Sequence, residues 1–346
     1  METVAWLWGA LAQAGTRVPV VFHELWLEFS TPKGRYFWGC LLSALMIAAV
    51  LYWREAARSA RSWRDFLGWA LPKSTYTSPT FRVDVGLNLL NLFLVPGSWL
   101  VEGLALEELD DLVVQAGHGL SGGTLIPGEV GLAGKLAVGL FVFLAYDFAM
   151  WFHHWLHHKV PVLWELHRVH HSAEHLNPLT ADRFHPLEEM LKGLIVVPIT
   201  LVALGLAGIV FDLSAAAHGF ALVKIWFFFR LFNLVGGNLR HMHVWWSWPA
   251  WIARVISSPA QHQIHHSIDT RHYGKNLASM FSLWDWLFGT LYQPTEREHL
   301  TFGVNEGQRH ESLWRTLWQP VQGVWQRAST GPRLGLAPLP DDATGR

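Results

Sequence analysis

DFAMWFHHWLHHKVPVLWELHRVHHSAEHLNPLTADRFHP, from Asp147 to Pro186, holds nine of the 20 histidines of a 346-residue chain. His154 and His158 are four residues apart, so on a helix they share one face and can bind one metal. His167, His170 and His171 form an HxxHH pattern. On a helix His170 and His171 both lie beside His167 but aim at slightly different places, which suits two metals better than one. Six more histidines fall between His241 and His272. His241 and His243 stand in NLRHMHVW, and PAQHQIHHS supplies a second HxxHH in His262, His265 and His266.

Packing alone is a poor explanation for three such pieces. Each buried imidazole left unsatisfied costs roughly 1–3 kcal/mol, and metal ions supply the missing partners. A zinc site takes three or four protein ligands, so eight or nine histidines fill two sites. Imidazole suits zinc, copper, iron and nickel alike, and spacing does not choose among them. With Cys40 as the only cysteine, intramolecular disulfides, cysteine-type zinc sites and protein-held iron–sulfur clusters are excluded. Electrons for any redox chemistry come from elsewhere.

The composition places this cluster at a membrane. Hydrophobic residues make up 51% of the chain and charged residues 15%, against roughly 25% charged in a soluble protein. The formal net charge of -1 leaves no basic surplus for nucleic acid. A helical span needs about 20 mostly apolar residues, and five stretches approach this: Tyr36–Trp53, Val85–Leu106, Leu132–Trp151, Met190–Phe211 and Ala215–Val235, the last two reading as a hairpin. Pro96 and Glu102 make the second the weakest. Glu2 stands where a cleavable signal carries a basic residue, so the N-terminus reads as retained. Arg54, Arg58, Arg61 and Arg64 follow the first span, whereas Glu107–Gly134 has no Lys or Arg. The positive-inside rule then puts the Arg-rich loop, and with it both histidine clusters, on the cytoplasmic face. WPAWIARVIS and NLASMFSLWDWLFGTLY read as amphipathic helices at the interface or over the cytoplasmic domain. In the last candidate span Lys224 and Arg230 call for snorkelling or a polar cavity, and Phe227–Phe229 read as core or lipid contact, or as the lining of a substrate path.

With its flanking DxxxxxxH, PxLW, HRVHHS, RFHP, NLRHxH, SPAQHQIHHS and LWDWLFGT, the histidine pattern over about residues 80–300 resembles the fatty acid hydroxylase/sterol desaturase superfamily. The resemblance implies an all-α integral membrane protein of four to five transmembrane or re-entrant helices, with a cytoplasmic histidine-rich di-metal domain and interfacial amphipathic helices. It implies two iron ions, O2 as co-substrate, a lipid substrate (fatty acyl, sterol-like or ether lipid) that is hydroxylated or desaturated, and an external electron donor. Hydroxylation is favoured because it needs one hydrogen abstraction. His154, His158, His167, His170, His171, His262, His265 and His266 match the eight-histidine motif, and His241 matches a ninth ligand position. Asp147, His185, His243, His272, Asn276 and Asp285 become ligands or supporting residues. For Asp147, two helical turns before His154 on the same face, the expected role is a hydrogen bond to a ligand imidazole. His153, His157 and His175 are additional to the motif and read as surface or supporting residues. Trp155 replaces a more usual Arg, and Asn276-Leu277-Ala278 a more usual Asn-aromatic-Gly.

The organisation expected is an N-terminal segment over 1–35, a catalytic membrane domain over 36–320 and a disordered tail over 321–346, in a multi-pass protein of a bacterial cell membrane. A histidine-rich metal transporter or metal-binding protein is the alternative. Transport favours ionisable residues at mid-membrane depth, whereas these histidines lie just beyond span ends. A zinc hydrolase lacks its HExxH.

Overall fold

The computed structural model describes residues 36–55, 62–94, 130–211, 227–304 and 312–329, with the single positions 26, 30, 116, 117, 119, 125 and 126. Among them the regular structure is helical, with isolated bridges at Ile126–Phe211 and Ser267–Phe302.

The backbone of the molecule is a pair of long helices. α4 (Leu132–Lys159) follows α1 (Trp38–Glu55), α2 (Trp63–Ala70) and α3 (Pro79–Leu94), and is itself followed by α5 (Pro161–His171) and α6 (Pro186–Val210). At 28 and 25 residues, α4 and α6 are about 42 and 37 Å long. Both are long and apolar enough to cross a membrane. They pack along one another over a core of Val138, Val142, Phe143, Leu204 and Ala207, to which Phe228 and Phe229 are added from residues 227–234. Phe227 is exposed. The apolar length of α4 ends at Trp151, and its last two turns carry His153, His154, His157 and His158. Of the other expected spans, Tyr36–Trp53 forms α1, whose Trp38, Leu42, Met46 and Val50 make an exposed apolar stripe. Val85–Leu106 is described only as far as α3, and the hairpin partner Ala215–Val235 only from residue 227. Lys224 lies outside the described residues; Arg230 is buried, its Nη1 3.7 Å from Cys40 Sγ.

Val160 leaves the helical region (φ -100, ψ 112), and Pro161 starts α5 at its first position, where a proline loses no hydrogen bond. The chain thus doubles back under α4 and sets His167, His170 and His171 against it. A buried polar knot fixes the end of α5. Arg183, fully buried, pairs with Asp84 of α3 at 2.6 Å and donates to the carbonyls of Val169 and Thr80 and to Ser172 Oγ. Asp84 also accepts from Asn177 and Thr180.

On the opposite side, Ser258 and Gln261 form a capping box before α7 (Pro259–His265). Gln263 Nε2 bonds the carbonyls of Met242 and Val244, locking α7 to the turn Gly237–His241. Gly236 makes that turn possible: its φ is +104°, and a Cβ there would lie 2.4 Å from the Trp246 ring.

Two expectations are corrected. The Trp-rich stretches do not form amphipathic helices: Ala250–Ala253 is a single turn, and only α8 (Leu283–Leu287) of the second stretch is helical. The reason is competition for backbone amides. Leu277 and Ala278 N–H groups go to the Asp285 carboxylate, and those of Met280 and Phe281 go to Asp147. The expected tail from residue 321 is overtaken by α9 (Leu313–Ser329), which runs through Pro320. α9 packs on α5 and is held by Arg327 on the buried Glu165, contacts that outweigh one missing helical hydrogen bond. Residues 330–346 lie outside the described residues.

Candidate metal centre

α4, α5, α7 and the turn Gly237–His241 deliver nine imidazoles to one place, and these form two groups. In the first, His154, His158, His167, His171 and His265 bring one ring nitrogen each within 4.8 Å of one another. The second contains His170, His241, His262 and His266. The groups abut: the His171 and His266 ring centroids are 4.7 Å apart, and those of His170 and His171 are 5.6 Å apart. These are the eight motif histidines and His241 that the family resemblance implied as ligands.

Hydrogen bonds at the rear of the first group decide which nitrogen faces inward. His154 Nδ1 donates to the Leu277 carbonyl at 2.7 Å, and His265 Nδ1 to the Lys275 carbonyl at 2.8 Å. A carbonyl only accepts, so each Nδ1 carries the proton and each Nε2 presents a lone pair. His167 Nδ1 is likewise held at 2.6 Å by the Glu188 carboxylate of α6. The inward Nε2 atoms of His154, His158, His167, His171 and His265 are all buried without a hydrogen-bond partner. In the second group the Nε2 of His262 lies 3.0 Å from that of His241 and 3.2 Å from that of His266. Metal–nitrogen bonds of about 2.0–2.1 Å place neighbouring ligand atoms about 3–3.5 Å apart. The donor set therefore fits metal ions: neutral imidazoles, no thiolate, lone pairs converging in a dry site.

Burial and crowding push the same way on protonation. His170, His171, His262, His265 and His266 are held well below the usual histidine value, first by burial and then by neighbouring imidazoles. Neutral imidazole is the ligating form. Phe184 stacks on His170 at 4.5 Å, and Trp164 covers His158 and His171, excluding water from the two faces.

The remaining candidates lie outside the cluster. Asp147 touches no imidazole; it accepts from Met280 N, Phe281 N and Trp284 Nε1 at 2.9–3.1 Å. Seven residues put it on the face of His154 but about 10 Å up the helix, beyond reach. Asp285 accepts from Trp151 Nε1, Leu277 N, Ala278 N and Thr290 Oγ1, and burial raises its carboxyl above the usual range. Asn276 sits at φ 54° and joins the Gln261 carbonyl to Tyr292 N. These three residues build the loop that presents the Leu277 and Lys275 carbonyls to His154 and His265. His185 caps α6, its Nδ1 accepting from Leu187 N and its Nε2 donating to the Leu317 carbonyl. His243 packs edge-on against Trp69, and His272 Nε2 lies 3.1 Å from Glu298. Sequence reading missed Glu188, whose only signal is an acidic residue in the first turn after RFHP. Of the three histidines additional to the motif, His153 and His157 are buried beside the cluster and His175 is exposed.

Comparison with known proteins converges on the same segment. Residues 139–290 match the fatty acid hydroxylase family, whose members use iron. Human alkylglycerol monooxygenase is 25% identical over 225 residues, covering 59% of this chain and 46% of the relative. Ornithine lipid hydroxylase OlsE of Rhizobium tropici is 26% identical over 211 residues (60% and 56%), and human lathosterol oxidase 27% over 168 residues (47% and 48%). The chain spans about half the length of the curated relatives it matches. No solved structure matches it. Residues 139–290, which contain all nine clustered histidines, are similar to the fatty acid hydroxylase family, and this supports the fatty acid hydroxylase/sterol desaturase resemblance carried by the histidine pattern.

Proposed function

We propose that this chain is a membrane di-iron oxygenase that hydroxylates an unactivated C–H bond of a lipid, using O2 and two electrons from an external donor. The observation that carries the reading is the pair of adjacent imidazole groups, five and four strong, the larger with its Nε2 lone pairs buried and turned inward, at the end of the membrane-length α4. His154, His158, His167, His171 and His265 would hold one iron, and His170, His241, His262 and His266 the other. When bound, the pair supplies two-electron activation of O2.

The chain's own residues do the rest. The Leu277 and Lys275 carbonyls and Glu188 fix ring orientation and keep Nε2 bare. Phe184 and Trp164 keep the rings dry, which protects a reactive site from water. A small cleft lined by Tyr36, Leu41, Pro178, Asn233 and Asn238 has His241 in its wall. The relatives' names cover ether lipids, ornithine lipids and sterols, so the shared substrate class is a long apolar molecule with a small polar end. α4 and α6 cross the bilayer, and the Arg-rich segment after α1 sets the metal end on the cytoplasmic side. The electron donor docks there.

Metal analysis of the detergent-purified chain tests this. About two irons per chain with a coupled Mössbauer signal are expected, and His170→Ala should lose iron from the second group together with lipid hydroxylation while still inserting into membranes. Near-zero iron after anaerobic reconstitution would overturn the reading.

A further inference from the structure

Three more metal-type groups meet on the side of α4 that faces α6. His153 and His157 are four residues apart on α4, and Glu188 is in the first turn of α6. All three are buried, with 5%, 0% and 0% of their surfaces exposed. One ligand atom from each lies within 4.8 Å of the others, and the two imidazole centroids are 4.1 Å apart.

Hydrogen bonds behind His157 and Glu188 leave the inner atoms of these two as acceptors. His157 Nδ1 donates to the His153 carbonyl at 2.8 Å, so the neutral ring carries its lone pair on Nε2. Glu188 Oε1 accepts from His167 Nδ1. That leaves His157 Nε2, His153 Nε2 and Glu188 Oε2, each buried with no hydrogen-bond partner. Converging lone pairs and a carboxylate in a dry site repel one another and are costly to bury. Packing does not require the arrangement, because an apolar trio would fill the same space without that cost. Lys192, one turn beyond Glu188, is paired with Glu189. A divalent cation satisfies all three atoms at once.

We propose that His153, His157 and Glu188 form a third cation site, for a divalent first-row transition metal, separate from the nine-histidine centre and joined to it by the Glu188–His167 hydrogen bond. Two imidazoles and a carboxylate are a common set for zinc or ferrous iron, with further positions left for water. The carboxylate is shared: one oxygen orients His167 and the other holds the third cation. The third ion therefore draws charge from Glu188 and weakens its pull on the His167 proton, so its occupancy adjusts the donor strength of one ligand of the main centre.

The test counts zinc. The full chain in detergent is stripped with chelator, reloaded with Zn2+ alone, and measured per polypeptide beside the double variant His153→Gln/His157→Gln, with size-exclusion behaviour checked for both. The wild type is expected to hold one zinc more than the variant. Equal stoichiometry would overturn the proposal, and so would a loss of two or more ions in a monodisperse variant, since these histidines would then serve the main centre. A failure of the nine-histidine reading lowers both totals equally and leaves the difference of one intact. Should the double variant not fold, His153→Gln alone should weaken the most loosely held zinc at least tenfold, and an unchanged zinc titration would refute the site.

Discussion

Replacing Asp84 by Asn probes the knot that holds the end of α5 in place. The partner guanidinium of Arg183 is fully buried, 2.6 Å from Asp84 Oδ1. Asn is the same size but removes the charge, leaving Arg183 to donate only to the Val169 and Thr80 carbonyls and Ser172 among its polar contacts described above. The new amide is also misplaced. Asn177 Nδ2 and Thr180 Oγ1 both donate to Asp84 Oδ2, and Asn177 cannot turn over because its Oδ1 already accepts from Leu179 N. Breaking a buried pair in this way costs about 3–5 kcal/mol, a fall in Tm on the order of 10 °C. Metal-free protein in detergent is the right sample, because bound metal would mask the loss. Asp269→Asn is the matched control: its Arg271 partner is 65% exposed, Asn keeps the cap on Arg271 N, and the expected cost is below about 1 kcal/mol. Since Val169 directly precedes His170, Asp84→Asn should also loosen metal held by the second group. A Tm shift for Asp84→Asn no larger than that for Asp269→Asn would refute the reasoning.

Acidification should destabilise the metal-free protein. The histidines of α5 and α7 have folded values depressed well below 6.5, so below that pH the unfolded chain binds more protons and stability is lost as pH falls. Each contributes on the order of 1 kcal/mol between pH 7.5 and 5.5, and a Tm that is flat over this window would contradict the burial argument. Gly236→Ala should displace His241, because both its φ and the Trp246 ring oppose a side chain; the expected result is a lower Tm and a weaker second metal group, measured by metal titration.

Much of the site was legible in the chain itself. Histidine spacing needs no tertiary information, since i, i+4 neighbours share a helix face; the nine residues that converge are the eight of the spaced motifs and His241, which the family resemblance supplied. Asp147 shows where spacing fails: it lies on the right face of α4 but too far along it, and its hydrogen bonds go to a loop more than 130 residues away in sequence. Glu188 shows the converse. Nothing in a Glu-Glu pair singles out the one whose helix start lies beside His167.

The sequence by itself determined which residues are available as ligands and that each HxxHH serves two directions, because 100° per residue cannot aim three rings at one point. The tertiary structure decided the partition. His167 and His171 of α5 join His265 of α7 in one group, while His170 joins His262 and His266 in the other. The two motifs contribute in opposite proportion because α5 and α7 approach α4 and the Gly237–His241 turn from different sides, and that approach is set by the Asp84–Arg183 knot and the Gln263 bonds, long-range contacts that no local spacing encodes.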